Sequence, residues 1–378
     1  MTTALFNKDY KSEFYLPEQG CYLLNHSVGR PLKSASQAFN DDFFSPWQNQ
    51  STEPWQQWLS SIDAFQSALG YLFNHAPENF CPQANLSSAL CKLVMSHPRL
   101  TKPLARVLMS EQDFPSMGFA LGHALPECEI IFIPKDLDIS CLDVWHSHLN
   151  QEIDLVFISQ VYSNSGQQAP VKAIIDWAKQ QGTLSLIDVA QSAGIIPLDL
   201  TETAPDFMIG SSVKWLCSGP GAAYLWVHPS QIKSCEPKDV GWFSHDNPFE
   251  FDIHHFCYHK KALRFWGGTP SVAPFILAAH SINYANQIPQ GLTRQHNLGL
   301  LALLGKTFGD QLVSPSEPHK CSGTAILQFG DAQSSVLNAL KAAHIGVDSR
   351  SLGIRVSPHI YNDEDDIEYL IHVINKAC

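Results

Sequence analysis

Basic residues are scarce in this chain. Its 24 Lys and Arg stand against 36 Asp and Glu, a formal net charge of −12. No basic run exceeds two residues, so the chain has neither the footprint of a nucleic-acid binder nor that of a protein held on an anionic bilayer. Apolar runs long enough to cross a membrane are lacking as well. The opening MTTALFNKDYKSEF has no basic segment followed by an apolar one, so no secretory leader is expected. Ten cysteines lie scattered without a Cys-x-x-Cys pair. That spacing excludes a disulfide framework and fits reduced thiols of a cytoplasmic protein. His254, His255, Cys257 and His259 lack paired-ligand spacing, and His146 and His148 stand two apart on an expected helix, so no metal site is expected. What remains is an ordinary globular composition, 44% hydrophobic and 11% aromatic over 378 residues, enough for a large domain with a smaller one.

The chemistry concentrates in residues 183–227. Thr183-Leu184-Ser185-Leu186-Ile187 is a short apolar run closed by a single acid, Asp188. Such a run suits a buried parallel strand that delivers a carboxylate at its C-terminal end. A second run, 206–210, leads through Ser211-Ser212-Val213 to Lys214, and Gly219-Pro220-Gly221 turns the chain into a third, 222–227. Ligands of open α/β sheets bind at those strand ends. Pyridoxal phosphate chemistry requires an amine that condenses with the aldehyde and a carboxylate that keeps the pyridine nitrogen protonated. Taken alone, the same two residues also describe a turn-capping acid and a solvated lysine.

Around this stretch, strands are expected at 105–110, 129–133 and 153–159, and helices at 54–73, 116–125, 140–149 and 170–181. A further helix is expected to open within 81–90. The alternation implies a mainly parallel sheet with right-handed crossovers. After Pro270 the pattern becomes a smaller α+β unit: helices at 274–287 and 334–344, strands at 324–329 and 353–357, and a final helix capped by Asn362.

Asp188, Ala190, Gln191, Ser192 and Gly194, then Asp206-Phe207, then Ser211, Lys214, Leu216 and Gly219-Pro220-Gly221 together match D-x-A-[QH]-S-x-G, D-F and S-x-x-K-x-L-x-G-P-G. In these strings the chain resembles the fold-type I, class-V aminotransferase family, and the likeness runs from about Tyr22 to Ile374. Val240–Phe251, with Gly241-Trp242-Phe243 and Pro248-Phe249, is close to the G-W-[WF]-x-H-x-x-P-F-x-F string of the kynureninase branch, as is Phe114-Pro115-Ser116 to its F-P-[ST]-D. The resemblance implies an aspartate aminotransferase-like α/β fold. A large cofactor domain (15–260) with a mainly parallel, seven-stranded type of sheet would be joined to a small α+β domain (261–378, with 1–14).

The same resemblance implies a homodimeric pyridoxal 5'-phosphate enzyme acting on an amino acid, with Lys214 as the catalytic lysine and Asp188 facing the pyridine nitrogen. Gln191 would meet the ring oxygen and Phe114 would stack on the ring. Gln83, Ala84 and Asn85 at a helix start, with Ser211 and Trp242, would hold the phosphate. Thr269, in the F-x-x-G-T-P turn, would reach the phosphate of the partner subunit. Asn25 (in the LNHSVGRP loop), Gln160 and Arg355 (in RVSPHIYN) would meet the substrate, Arg355 forking onto its α-carboxylate. Met117 replaces the acid of F-P-[ST]-D, which leaves Asp188 as the one carboxylate assigned to the ring nitrogen. Gln160 and Gln191 stand where His is common, and Val213 where His or Tyr often precedes the lysine. The expected reaction is a kynureninase-like hydrolysis or lysis, with aminotransferase, epimerase or Cβ–S lyase chemistry, or a silent binding scaffold, as alternatives. A cysteine desulfurase would need a mobile Cys shortly before Arg355, and residues 347–354 contain none.

Overall fold

The computed structural model describes residues 8–378; the first seven, which belong to the segment 1–14 expected in the small domain, lie outside it. Its central sheet has seven strands in the order Phe80–Gln83, Ala223–Val227, Phe207–Ser211, Leu184–Asp188, Leu155–Ser159, Arg106–Ser110, Glu129–Ile133. From Phe207–Ser211 onward every neighbouring pair is parallel, while Ala223–Val227 runs against both its neighbours. Leu155–Ser159, Leu184–Asp188 and Ala223–Val227 are buried throughout. Unbroken apolar runs are what a sheet covered on both faces requires. Pro115–Ala124, Leu142–His148 and Val171–Gln181 form crossover helices, the last stopped by Gly182 at φ 71°.

The helix expected to open within 81–90 begins at Leu86. Before it, Phe80–Gln83 is an edge strand paired with Ala223–Val227, which was not expected from sequence; an edge position tolerates the missing N–H of Pro82.

Among the described residues two large hydrophobic cores are accompanied by two small clusters, one around Phe14 and Tyr361 and one around Ile195 and Trp215. The larger one surrounds the sheet and includes Phe275, Ala278 and Ile282 of the helix Ala273–Gln287, which packs on Trp55–Leu72. The smaller holds Leu300, Leu304, Leu327, Ile354, Ile367 and Leu370, together with Cys21 and Leu23 from the N-terminal segment. The helix at 273 buries its apolar face on the sheet layer, with Ala285 packed against the larger core. Cys21–Tyr22 pairs in parallel with Ile345–Gly346, which ties the N-terminal loop to the small unit. The small sheet, Asp348–Arg350, Gly353–Val356 and Ala325–Leu327, is antiparallel. Its first strand and the helix Leu292–Thr307 were not expected from sequence. The last helix is capped by Asp363 instead of Asn362: the Asp363 carboxylate accepts from the Asp366 N–H, while Asn362 bonds back to the His359 N–H.

Candidate active site

The strand ends bring the two central groups together. Asp188 closes Leu184–Asp188, is 8% exposed, and accepts a hydrogen bond from the Ala190 N–H at 2.8 Å. Burial pushes its pKa up, against the pull of that N–H and of the Lys214 charge. Lys214 lies three residues beyond Phe207–Ser211, on the neighbouring parallel strand. Burial draws its amine down to about 8; Asp188 opposes this, while Arg350 and Arg355 add to it. A lysine that sheds its proton near neutrality is a competent nucleophile and base.

The backbone of Lys214 is held by the loop that follows Cys21–Tyr22. The Gly29 N–H donates to the Val213 carbonyl at 2.8 Å, and Asn25 Nδ2 donates to the Lys214 carbonyl at 3.4 Å. A Cβ on Gly29 would sit 2.1 Å from the Lys214 carbonyl oxygen, so only glycine allows this approach. Asn25 is fully buried, and its Oδ1 accepts from the Tyr361 hydroxyl. Its amide thus supports the backbone of the lysine.

Below Asp188 lies a carboxylate that the sequence reasoning missed. Asp113 is 8% exposed and accepts from Ser159 Oγ at 2.6 Å and from the Ser110 N–H at 2.8 Å. Ser159 is the register partner of Asp188 on the adjoining strand. Burial pushes Asp113 up to about 7, opposed by those two hydrogen bonds and reinforced by Asp188. Asp188 is therefore one of two buried acids here, not the sole one. The signal was available: Asp113 follows an apolar strand as Asp188 closes one. Next to it, Phe114 precedes the helix Pro115–Ala124 with its ring 46% exposed, open to a planar partner.

Gln191 and Gln160 are buried beside the loop. Gln191 Nε2 donates to the His26 carbonyl at 3.1 Å, and Gln160 Oε1 accepts from Ser192 Oγ at 2.6 Å. Arg355, 2% exposed, rises from Gly353–Val356 directly opposite Asp348. Its Nε donates to Asp348 Oδ1 at 2.7 Å, its Nη2 to Asp348 Oδ2, and its Nη1 to the Ser163 carbonyl at 3.1 Å. His26 Nε2 lies 2.9 Å from the same Asp348 Oδ1. These partners hold the Asp348 carboxyl well below the usual range despite its partial burial.

The expected phosphate residues divide into groups. Ala84 and Asn85 are exposed at the start of Leu86–Val94, where Asn85 Oδ1 caps the Ser88 N–H at 2.9 Å. Gln83 instead turns inward, donating to the Phe265 carbonyl at 3.2 Å. Ser211 ends its strand half-buried, and beside it Ser212 Oγ is buried without a partner among the described residues. Trp242 and Thr269 form a separate pair, Nε1 to Oγ1 at 3.2 Å. Elsewhere His245, Glu250 and His255 offer ligand atoms within 4.8 Å of one another. His255 already bonds Glu250 at 2.6 Å, and its other ring nitrogen lies 3.3 Å from Cys257 Sγ, which describes a hydrogen-bonded loop. A cleft of about 900 Å³ lined by Phe73, Ile195, Asp199, Ile288 and Arg294 does not include Lys214 or Asp188.

The donor set fits pyridoxal phosphate. It offers a depressed amine for the aldehyde, an acid for the ring nitrogen, an open aromatic face and the free N–H groups of a helix start, with a partnerless serine hydroxyl at the strand end. A doubly covered parallel sheet carrying that set at its carboxyl edge defines a pyridoxal-phosphate-dependent enzyme. The chain belongs to the class-V aminotransferase family, which it matches over residues 126–370. It is similar to an uncharacterized aminotransferase, YcbU, of Bacillus subtilis, 24% identical over 92% of this chain and 91% of that one. It is also similar to the kynureninase of Geobacillus thermodenitrificans, 24% identical over 98% of this chain and 91% of that one. In structure it resembles the apo cysteine desulfurase of Thermococcus onnurineus, with a TM-score of 0.84 at 18% identity over 95% and 94% of the two chains. The cystine C–S lyase C-DES follows at 0.83 and 18%, over 93% and 96%. Among the described residues no helix is long and apolar enough to cross a membrane.

Proposed function

We propose that this enzyme cleaves the side chain of an α-amino acid, in the manner of kynureninase-like hydrolases and lyases, with Lys214 as its acid–base residue. The observation that carries this reading is the depressed amine of Lys214 close enough to buried Asp188 for each to shift the other's pKa. Bound there, pyridoxal phosphate supplies an aldehyde for the amine and a sink for electrons from the substrate's α-carbon. Lys214 Nζ, neutral near pH 8, takes and returns protons at the α-carbon. Asp188 would meet the ring nitrogen and support a positive charge there, while Asp113, pushed up to about 7 by burial, would hold its proton below that pH and add no second negative charge. Phe114 would stack on the ring, and Ser211 and the start of Leu86–Val94 would hold the phosphate. The outer N–H groups of Arg355 receive the α-carboxylate, with Asp348 and the Ser163 carbonyl fixing the plane of the guanidinium.

Support for the hydrolase or lyase side comes from relatives named kynureninase that align over nearly the whole chain. Desulfurase chemistry is disfavoured. The hairpin before Arg355 carries Ser349, Arg350 and Ser351 but no thiol, and Cys321, the nearest, is buried. The working form in this reading is a cytoplasmic homodimer, in which exposed Thr269 completes the partner's phosphate site and half-buried Trp242 contacts the phosphate. The test is reconstitution with pyridoxal phosphate, borohydride reduction and mapping of the modified peptide. The yellow protein is then screened with kynurenine, cysteine derivatives, and amino donors plus a keto acid. Label on Lys214 with side-chain cleavage supports the reading; turnover confined to amino transfer would replace it with the aminotransferase alternative.

A further inference from the structure

Arg355 is not the only guanidinium near Lys214. Arg350 ends the strand Asp348–Arg350, and its register partner is Gly353, so no side chain across the hairpin competes for it. Its Nη1 donates to Ser163 Oγ at 3.2 Å, and its guanidinium carbon stands 5.8 Å from the centre of the Phe114 ring. Among the described residues no carboxylate lies within ion-pair distance of it. The one nearby acid, Asp348, is already occupied: Oδ1 takes Arg355 Nε and His26 Nε2, and Oδ2 takes Arg355 Nη2.

The result is an unbalanced cationic pair beside the reactive amine. Arg355 and partial burial lower the pKa of Arg350, and both arginines lower that of Lys214. Two like charges held this close repel unless an anion settles between or beside them. The α-carboxylate supplies only one. A guanidinium has five N–H donors, and three of those of Arg355 are used by Asp348 and Ser163. Two remain, enough for one carboxylate, and that leaves Arg350 over. Its exposed guanidinium stands beside the Phe114 ring and bonds Ser163, whose carbonyl also takes Arg355, so it is open to a ligand held by Arg355.

We propose that Arg350 is a second anion site near Lys214 and that the substrate is an α-amino acid whose side chain carries an acid group, a carboxylate in the simplest case. This rests on the reading above of an amino-acid enzyme working through Lys214. The side-chain acid docks bidentately on the free fork of Arg350 while the α-carboxylate docks on Arg355, so the two arginines fix both ends of the substrate across the reactive carbon.

The experiment uses the full chain loaded with pyridoxal phosphate and follows its visible spectrum during titration with L-aspartate, L-glutamate, L-asparagine, L-glutamine and L-alanine. Each acid binds about tenfold or more tightly than its own amide in the wild-type protein, the usual margin for a charge-assisted fork. Arg350→Gln brings that ratio to about one, and Arg350→Lys keeps part of it. Equal binding of acids and amides by the wild type overturns the proposal. So does an Arg350→Gln protein that loses alanine affinity as much as aspartate affinity, since Arg350 would then be a second ligand of the α-carboxylate. A wild-type protein that takes up no cofactor, or whose Lys214→Ala variant still does so with an unchanged spectrum, overturns the underlying reading instead.

Discussion

Replacing Asp113 by Asn tests the buried acid pair in the floor of the site. Asp113 has an ordinary value of 3.8 and is pushed up to about 7, chiefly by burial. At about 1.4 kcal/mol per pH unit, that gap amounts to about 4 kcal/mol. The sign follows from proton counting. Well below 3.8 the folded and unfolded chains both carry the proton, and the acid costs nothing. Between about pH 4 and about pH 7 the folded chain keeps a proton that the unfolded chain releases, so stability falls as pH rises. Above that window the penalty is complete. Asn at this position is neutral at every pH, so Asp113→Asn gains on the wild type by about 2–3 kcal/mol between about pH 5 and about pH 8. Losing a partner for Ser159 Oγ or the Ser110 N–H costs a further 1–3 kcal/mol or so, but by a constant amount. Urea unfolding of cofactor-free protein across that range reads the difference directly. A wild-type-minus-variant difference that stays flat with pH refutes the reasoning. Should Asp188→Asn flatten the profile while Asp113→Asn does not, the proton resides on Asp188.

Capture of pyridoxal phosphate by the apo protein should accelerate as pH rises through about 8, where Lys214 sheds its proton, and not near the ordinary 10.5; Lys214→Ala should abolish borohydride-fixed label. Gly29→Ala, which drives a methyl to 2.1 Å from the Lys214 carbonyl oxygen, should displace the lysine. It should cut cofactor retention in dialysis about tenfold or more, at roughly 1–3 kcal/mol in melting stability. Asp348→Asn weakens the hold on the buried Arg355 guanidinium; because Asp348 is about a third exposed and Asn still accepts one hydrogen bond, the change should cost about 1–3 kcal/mol. Its KM for any amino acid should rise far more than kcat falls, because Arg355 keeps its charge and loses its orientation. Equal losses in KM and kcat would argue against that positioning role.

How much of this was legible in the chain depends on whether a feature is local or made by pairing. Asp188 and Lys214 were legible because each ends or follows an apolar run, and a strand buried on both faces leaves few other places for a charge. The crossover helices were legible for a similar reason: Val171–Gln181 has its own apolar face and its own stop at Gly182. Leu292–Thr307 was not, since Gly299 and Gly305 interrupt it and its first turns are polar. The three-residue strand Asp348–Arg350 has no apolar residue to announce it. Only its antiparallel register against Gly353–Val356 sets Asp348 opposite Arg355 and leaves Arg350 unopposed. Lys214 and Asp188, proposed to act at the α-carbon, thus reside in segments that declare themselves, whereas Asp348 and Arg355 are brought together only by the register of a hairpin. The substrate preference proposed above therefore rests on the register that pairs Asp348 with Arg355 and sets Arg350 opposite Gly353.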